Sequence, residues 1–278
     1  MGSTFLPFIF ALSAAVAWGS GDFTNGLTAR RVGTFHAVLI SYTIGLCLLV
    51  IVSLSLEKIP SFVDLAWGAL AGLFGMAGLG FLLRGFTVGR MGIVAPVSGV
   101  LAAAIPVIFT ALTKGLPREL QLLGFGLALP SIWMLSRPDR LGSRPAGLGM
   151  ALLAGFGFGA FFTMLGFVGN NSVFWPLAAG RLASCFALIA FALFMRRPLL
   201  PKIVPLKLAT LAGLFDAGGN LFFLLAVQSG RLDVAAVLGS LYPAVTTILA
   251  GLIAREQITR TQLTGVVIAV LAIILITK

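Results

Sequence analysis

Residues 70–74 read Leu-Ala-Gly-Leu-Phe, and residues 211–215 read Leu-Ala-Gly-Leu-Phe again, 141 positions later. The same offset pairs Gly78 with Gly219, Phe81 with Phe222, Gly89-Arg90 with Gly230-Arg231, Ala95 with Ala236, Gln121 with Gln262, Gly124 with Gly265 and Ala128 with Ala269. Nearer the N-terminus the offset becomes 138 and pairs Gly19, Gly21 and Phe23 with Gly157, Gly159 and Phe161, and Cys47 with Cys185. A match of this length reads as one structural unit present twice, over residues 1–140 and 141–278.

Composition says what the unit is made of. The 278 residues are 59% hydrophobic and 10% charged, with a mean hydropathy of +1.09; a soluble domain carries about 25% charged residues. Polar and glycine-proline breaks separate apolar runs near the ~20 residues a spanning helix needs. They lie at Thr4–Asn25, His36–Leu56, Phe62–Arg84, Met91–Thr113, Glu119–Ser136, Ala146–Phe167, Val173–Met195, Leu206–Val227, Asp233–Ala254 and Arg260–Thr277. The runs are continuous rather than alternating, and lipid admits only helices or closed barrels. The expectation is an all-α membrane protein of ten spans. Five spans per unit is an odd number, so the second copy enters the bilayer from the opposite side and the halves form two inverted five-helix repeats around a central cavity.

The formal charge of +11 would suggest nucleic-acid binding in a soluble protein, but the basic residues sit singly or in pairs between spans, without a basic stripe or a recognition module. Alternate loops hold Arg30, Arg31, Arg84, Arg90, Arg137, Arg140, Arg144, Arg196, Arg197, Lys202, Lys207, Arg255 and Arg260, against Lys58, Lys114, Arg118, Arg231 and Lys278 on the other side. The positive-inside rule then puts both termini on the periplasmic side of a bacterial inner membrane. Thr4–Asn25 reads as a retained span, because no basic segment or small-residue cleavage site accompanies it. Cys47 and Cys185 lie inside apolar runs, where cysteine behaves as a small hydrophobe.

Charged and polar groups inside the runs are the functional candidates, since an acid at a span centre costs about 2.5–3.5 kcal/mol on insertion scales. Asp216 and Arg181 are the clearest cases. One reading makes Asp216 a cavity acid that couples transport to protons or ions; the other makes it a structural ion pair with Arg181. Trp18, Ser20, Asp22 and Asn25 spread polarity along the first span, where Asp22 is either pathway-lining or a snorkelling end residue. Ser20 and Asp22, two apart, cannot share a face closely. Asn220 follows Asp216 by one turn and serves either a solute or an interhelical hydrogen bond. Tyr242-Pro243 and Pro106 mark either broken helices or packing kinks. Trp18, Phe158 and Phe222 face either a cavity or lipid. Glycines and alanines four apart read mainly as close-packing faces.

His36, the single histidine, reads as an interfacial surface residue. No metal-ligand spacing and no phosphate-binding loop is present, so neither a cofactor nor direct ATP drive is expected. Eight acidic residues and one histidine, scattered, make poor material for an integral-membrane enzyme acting on lipid-linked substrates; that enzyme, a passive pore and a sensor are the alternatives to a carrier.

Ala226, the Gly230-Arg231 turn, Ala235-Ala236, then Ser240-Leu241-Tyr242-Pro243-Ala244 and the segment Glu256 to Gly265 with Gln262 form a pattern. It resembles the drug/metabolite transporter superfamily, in particular the ten-span EamA-type branch. Ser98 to Pro106 is a looser first-half copy, and Trp18-Gly19-Ser20 resembles the family's first-span motif. The resemblance implies a secondary transporter of small metabolites, amino acids or similar amphipathic compounds first among them, working as an exporter by alternating access without a cofactor. It adds Ser240 and Tyr242 to the cavity candidates. An arginine that the family often carries in the second span of each repeat matches Arg181 in the second half, while the first-half position is Thr43.

Overall fold

A computed structural model of the chain describes residues 5–88, 91–135, 147–201, 203–253 and 260–276. Arg90, Arg137, Arg140, Arg144, Lys202, Arg255, Glu256 and Lys278, all used above, lie outside the described residues, as do the span ends Thr4, Ser136, Ala146, Ala254 and Thr277.

The described residues are helical almost throughout. The helices are α1 (Leu6–Val32), α2 (Thr34–Leu56), α3 (Phe62–Val88), α4 (Met91–Lys114), α5 (Glu119–Leu135), α6 (Leu148–Leu165), α7 (Phe174–Phe194), α8 (Leu206–Ser229), α9 (Leu232–Gly239), α10 (Tyr242–Ile253) and α11 (Arg260–Ile276). Eight stretches among them are long and apolar enough to cross a membrane, α9 and α10 counting together as one. The helices α5 and α11 are shorter, at 17 residues each. Outward faces carry exposed large apolar side chains such as Leu54, Leu112, Phe186, Phe194 and Leu252, a surface suited to lipid rather than water.

Two expected interruptions turn out differently. At the ninth span, Pro243 has no N–H to offer the carbonyl of Gly239; the helix stops at Gly239, turns through Ser240 and Leu241, and restarts at Tyr242. Pro106 leaves α4 unbroken. The first helix also continues past Asn25 to Val32, ending at Gly33, whose φ of 84° permits an immediate turn into α2.

The helices interlock across the two halves. The broadest contacts are α1 on α8, α3 on α6 and α5 on α11, with α4 on α6, α3 and α2 on α7, α2 on α8, and α1 against α9 and α10. Under the sequence offsets, α1 to α5 correspond to α6, α7, α8, α9 with α10, and α11. Exchanging each helix for its counterpart returns the same set of contacts.

Close approach depends on absent side chains. Where α3 meets α7, a Cβ on Gly72 would run into the backbone of Gly180. Ser184 Oγ, one turn beyond Gly180, donates to the Gly72 carbonyl at 2.8 Å. At the far end of this contact, the Glu57 carboxylate accepts from the N–H groups of Val173, Phe174 and Trp175 at 2.9–3.3 Å. An anion thus sits on the positive end of the α7 dipole, while Asp64 Oδ1 accepts from Gly169 N–H at 2.8 Å. The α6–α7 turn is thereby fastened to α2 and α3.

Gly72→Leu should therefore separate α3 from α7 and lower stability by about 1–3 kcal/mol, the usual cost of overpacking. Gly26→Ala, where a Cβ meets nothing within 4 Å, should not. Unfolding midpoints of the two purified variants check this, and equal midpoints would refute the close-packing role.

Candidate functional site

Seven helices leave a space between them, bordered by Trp18 and Asp22 of α1, Tyr42 of α2, Gly68, Gly72, Gly75 and Leu79 of α3, and Phe158, Phe161, Phe162 and Leu165 of α6. Leu177, Gly180, Arg181 and Ser184 of α7, Asp216 and Asn220 of α8, and Tyr242 at the start of α10 complete it. Along α3 the lining runs from Gly68 to Leu79, a rise of about 16 Å at ~1.5 Å per residue. This is a chamber inside the bundle, not a surface dent.

At its centre Arg181 and Asp216 form a salt bridge, with side chains 3% and 16% exposed. The guanidinium also lies over the Tyr42 ring, 3.9 Å from its centroid. Such stacking suits the planar, weakly hydrated arginine head. Gly45 of α2 lies beside the guanidinium, where an added Cβ would meet Nε at an ordinary contact distance of 3.6 Å. The two ions are paired, and both border the cavity.

A second group is aromatic. Trp18 stacks on Phe162 with centroids 5.3 Å apart and meets Phe223 at 5.4 Å, while Phe162 stacks on Phe223 at 4.5 Å. The indole N–H donates to Asn220 Oδ1 at 2.9 Å. Gly219 makes room for this ring, since a Cβ there would overlap the indole. Asn220 thus makes the interhelical hydrogen bond and still borders the cavity.

Seven of the nine candidates from sequence, Trp18, Asp22, Phe158, Arg181, Asp216, Asn220 and Tyr242, border this one space. Ser20 and Ser240 do not. Ser20 donates to the Val16 carbonyl of its own helix at 2.8 Å, and Ser240 is fully buried in the turn between α9 and α10. Phe222 stacks on Phe10, with centroids 6.5 Å apart, rather than bordering the chamber. Sequence reasoning missed Tyr42, Gly75, Leu79 and Ser184. One signal was available: the chain has two tyrosines, and both border the chamber.

Repeat-equivalent positions meet here. Tyr42 and Gly180, Gly75 and Asp216, and Leu79 and Asn220 are related by the sequence offsets, and both members of each pair border the chamber.

Beyond the chamber, further along the same helices, lies a wider crevice whose walls include Phe35, His36, Val38, Met76, Gly80, Arg84, Met150, Leu188 and Arg197. One buried apolar cluster contributes to the walls of both spaces. It includes Tyr42 and Leu79 from the chamber, Val38 from the crevice, and Leu82, Leu83, Ala154 and Cys185. His36 Nε2 lies 3.0 Å from the Pro198 carbonyl, so this histidine fastens the crevice rim.

Asp216→Asn should leave Arg181 buried without its counter-charge and cost about 3–5 kcal/mol. Replacing both, Arg181→Met with Asp216→Leu, should restore most of that loss, because the desolvation penalty disappears with the charges. Thermal unfolding in one detergent checks both; a double variant no more stable than Asp216→Asn would refute this account.

Comparison with known proteins agrees with the architecture. A solved crystal structure superposes with a TM-score of 0.73 at 17% sequence identity, covering 98% of this chain and 95% of the other. At that identity the likeness concerns the fold alone. No curated protein matches. The family model of the EamA-like transporter family matches residues 145–278, the half that contributes Phe158, Arg181, Asp216, Asn220 and Tyr242 to the chamber. Residues 145–278 thus belong to the EamA-like transporter family, a branch of the drug/metabolite transporter superfamily that moves small molecules, and the chain is a multi-pass membrane protein.

Proposed function

We propose that the chain is a secondary carrier of small amphipathic metabolites, amino acids first among them, working by alternating access and open to one side of the membrane at a time. Ten spans are counted, with α9 and α10 as one broken span and α5 and α11 included. Residues 1–140 and 141–278 act as inverted repeats whose interface encloses the solute. The basic loops face the cytoplasm, both termini are periplasmic, the membrane is the bacterial inner membrane, and net flux is outward.

One observation carries the reading: an internal chamber bordered by helices of both halves and holding a buried ion pair. A passive pore needs a continuous aqueous path, whereas the chamber and the crevice beside it are two separate spaces whose walls share one buried apolar cluster. Such a division is what a carrier needs, because solute must be held while one barrier closes and the other opens. Apolar walls with few fixed polar groups suit amphipathic solutes. The self-matching helix contacts support the repeat, and the odd number of spans per repeat supports inversion. Neither an acid/base constellation nor a bound cofactor is needed for this work.

The test is counterflow in proteoliposomes with a radiolabelled amino-acid panel, with and without a proton gradient. Saturable exchange is expected. Conductance without saturation would favour a pore, and chemical conversion would favour an enzyme. Gly75→Leu projects a side chain into the chamber toward Phe161, where a Cβ already approaches Cδ2 to 3.1 Å. It should abolish exchange while the protein stays folded; undiminished exchange would show that the chamber is not the path.

A further inference from the structure

The crevice beyond the chamber lies at the end of the bundle where α2 begins and where α3 and α7 end. Its depth is apolar. On α3, Met76, Gly80 and Arg84 follow one another at intervals of four and so lie along one face, and all three border the crevice. From Met76 to Arg84 the rise is about 12 Å at ~1.5 Å per residue. Gly80 leaves that face bare, since an added Cβ would meet nothing within 4 Å. Leu188 and Phe191 of α7 and Phe35 of α2 supply further apolar wall, with the Phe35 and Phe191 ring centroids 6.2 Å apart. Phe191 is also 44% exposed and Phe194, one turn on, 82%. The crevice is thus continuous with the lipid-facing surface of α7.

The mouth of this slot is basic. Arg84 and Arg197 border it, and among the described residues no aspartate or glutamate does. The backbone holds Arg197 in place: its N–H donates to the Ala192 carbonyl at 2.8 Å, and Arg196 before it takes a φ of 51°, the left-handed conformation in which glycine is usual. The next residue is fastened too, because the Pro198 carbonyl lies 3.0 Å from His36 Nε2. The other ring nitrogen faces the Val32 carbonyl at 3.0 Å, so His36 shapes the mouth and the guanidiniums give it charge. Both arginines are exposed, and a guanidinium has five N–H donors, enough to take a phosphate oxygen while bonded elsewhere.

Two forked donors above an apolar slot match a phosphodiester carried on acyl chains. A water-soluble phosphate would leave the slot uncovered, and a zwitterionic lipid would bring a third cation to a mouth that already holds two. We propose that the crevice is a binding site for one anionic phospholipid, its phosphate on Arg84 and Arg197 and one acyl chain along Met76, Gly80 and Leu188. The site depends on the chain crossing a membrane and not on what the chamber carries, so it stands or falls apart from the carrier.

Three probes decide it. Dioctanoyl phosphatidylglycerol presents anionic head and tails together, dioctanoyl phosphatidylcholine the same tails under a zwitterionic head, and glycerol phosphate the anion alone. Native mass spectrometry of the purified full chain in a neutral detergent counts each as it binds. Phosphatidylglycerol should saturate at one molecule per chain and bind about tenfold or more tightly than phosphatidylcholine, the scale of two cations acting on an anionic headgroup. Glycerol phosphate should bind far more weakly. Arg84→Gln with Arg197→Gln should remove the preference between the lipids; Arg197→Gln alone should reduce it, and stands in if the pair does not fold. Lys207→Gln takes one positive charge from the same end of the bundle but away from the crevice, and should leave the preference intact. Gly80→Leu fills the slot without changing charge and should weaken both lipids. Equal affinity for the two lipids overturns the proposal, as does binding that does not saturate at one molecule, or glycerol phosphate as tight as phosphatidylglycerol. A loss from Lys207→Gln as large as that from the arginine variants would reveal diffuse surface charge instead of a site, and unchanged affinity in Gly80→Leu would place the lipid elsewhere.

Discussion

Arg181 and Asp216 can both reside inside the bundle only because each supplies what the other lacks. Either ion alone in the bilayer interior would be uncompensated, and a buried pair offsets its desolvation only when the geometry is good and further interactions help. The Tyr42 face provides one such interaction. To bring these groups together, α2, α7 and α8 must meet at one level of the membrane, and α7 must pass closely across α3 at Gly72 and Gly180. The Glu57 carboxylate on the N-terminus of α7 fixes the register of that helix, and so the height at which Arg181 emerges. The packing faces, the cap and the ion pair form one arrangement, and the chamber is the space left over.

The repeat clarifies which residues belong to architecture and which to chemistry. Positions that match across the halves are mostly small or apolar, as in Leu-Ala-Gly-Leu-Phe, because both copies pack helices through the same lipid. The groups that give the chamber its character are those that break the match. Arg181 corresponds to Thr43, Asp216 to Gly75, Asp22 to Ala160 and Asn220 to Leu79. If the chain alternates access as proposed, near-equivalent halves would let it exchange two conformations of comparable energy, since packing that one half gives up would be taken on by the other. Charges placed on one side of each equivalent pair then give the common space a polarity without altering that balance.

Fold class was legible in the sequence because lipid leaves so few choices: a continuous apolar run of about 20 residues can be little else than a spanning helix. The chamber was legible only in part, for a related reason. Ionisable and amide groups within a span, such as Arg181, Asp216 and Asn220, advertise themselves by their cost. Residues at home in both lipid and cavity give no such signal, so Tyr42, Gly75 and Leu79 passed unremarked and Phe222 was wrongly grouped with Phe158. Ser20 shows the converse. A hydroxyl in a helix can satisfy itself on the carbonyl four residues back, as Ser20 does on Val16, and its polarity then predicts nothing about a cavity. Helix breaks obey the same logic, since Pro243 ends its helix while Pro106 does not; a missing N–H matters only where the surrounding backbone has another way to turn.

The two spaces and their common wall suggest where movement would be easiest. The cluster shared by their walls includes Val38, Leu79, Leu82, Leu83 and Cys185, apolar side chains on α2, α3 and α7, with the long 3.9 Å contact of Thr43 with Cys185 beside them. The opposite end of the same helices is held by Glu57, Asp64 and Gln228 through hydrogen bonds of 2.8–3.3 Å to the α6–α7 turn. Apolar surfaces slide at small cost because they have no preferred partner, whereas directed hydrogen bonds must be broken and replaced. The crevice rim is held as well, by His36 on the Pro198 carbonyl, so the two ends differ in how many directed bonds hold them. If the chain alternates access as proposed, opening at the α6–α7 turn would require Glu57 to release the N-terminus of α7, and the strength of that carboxylate cap would set how readily the chamber changes the side it faces.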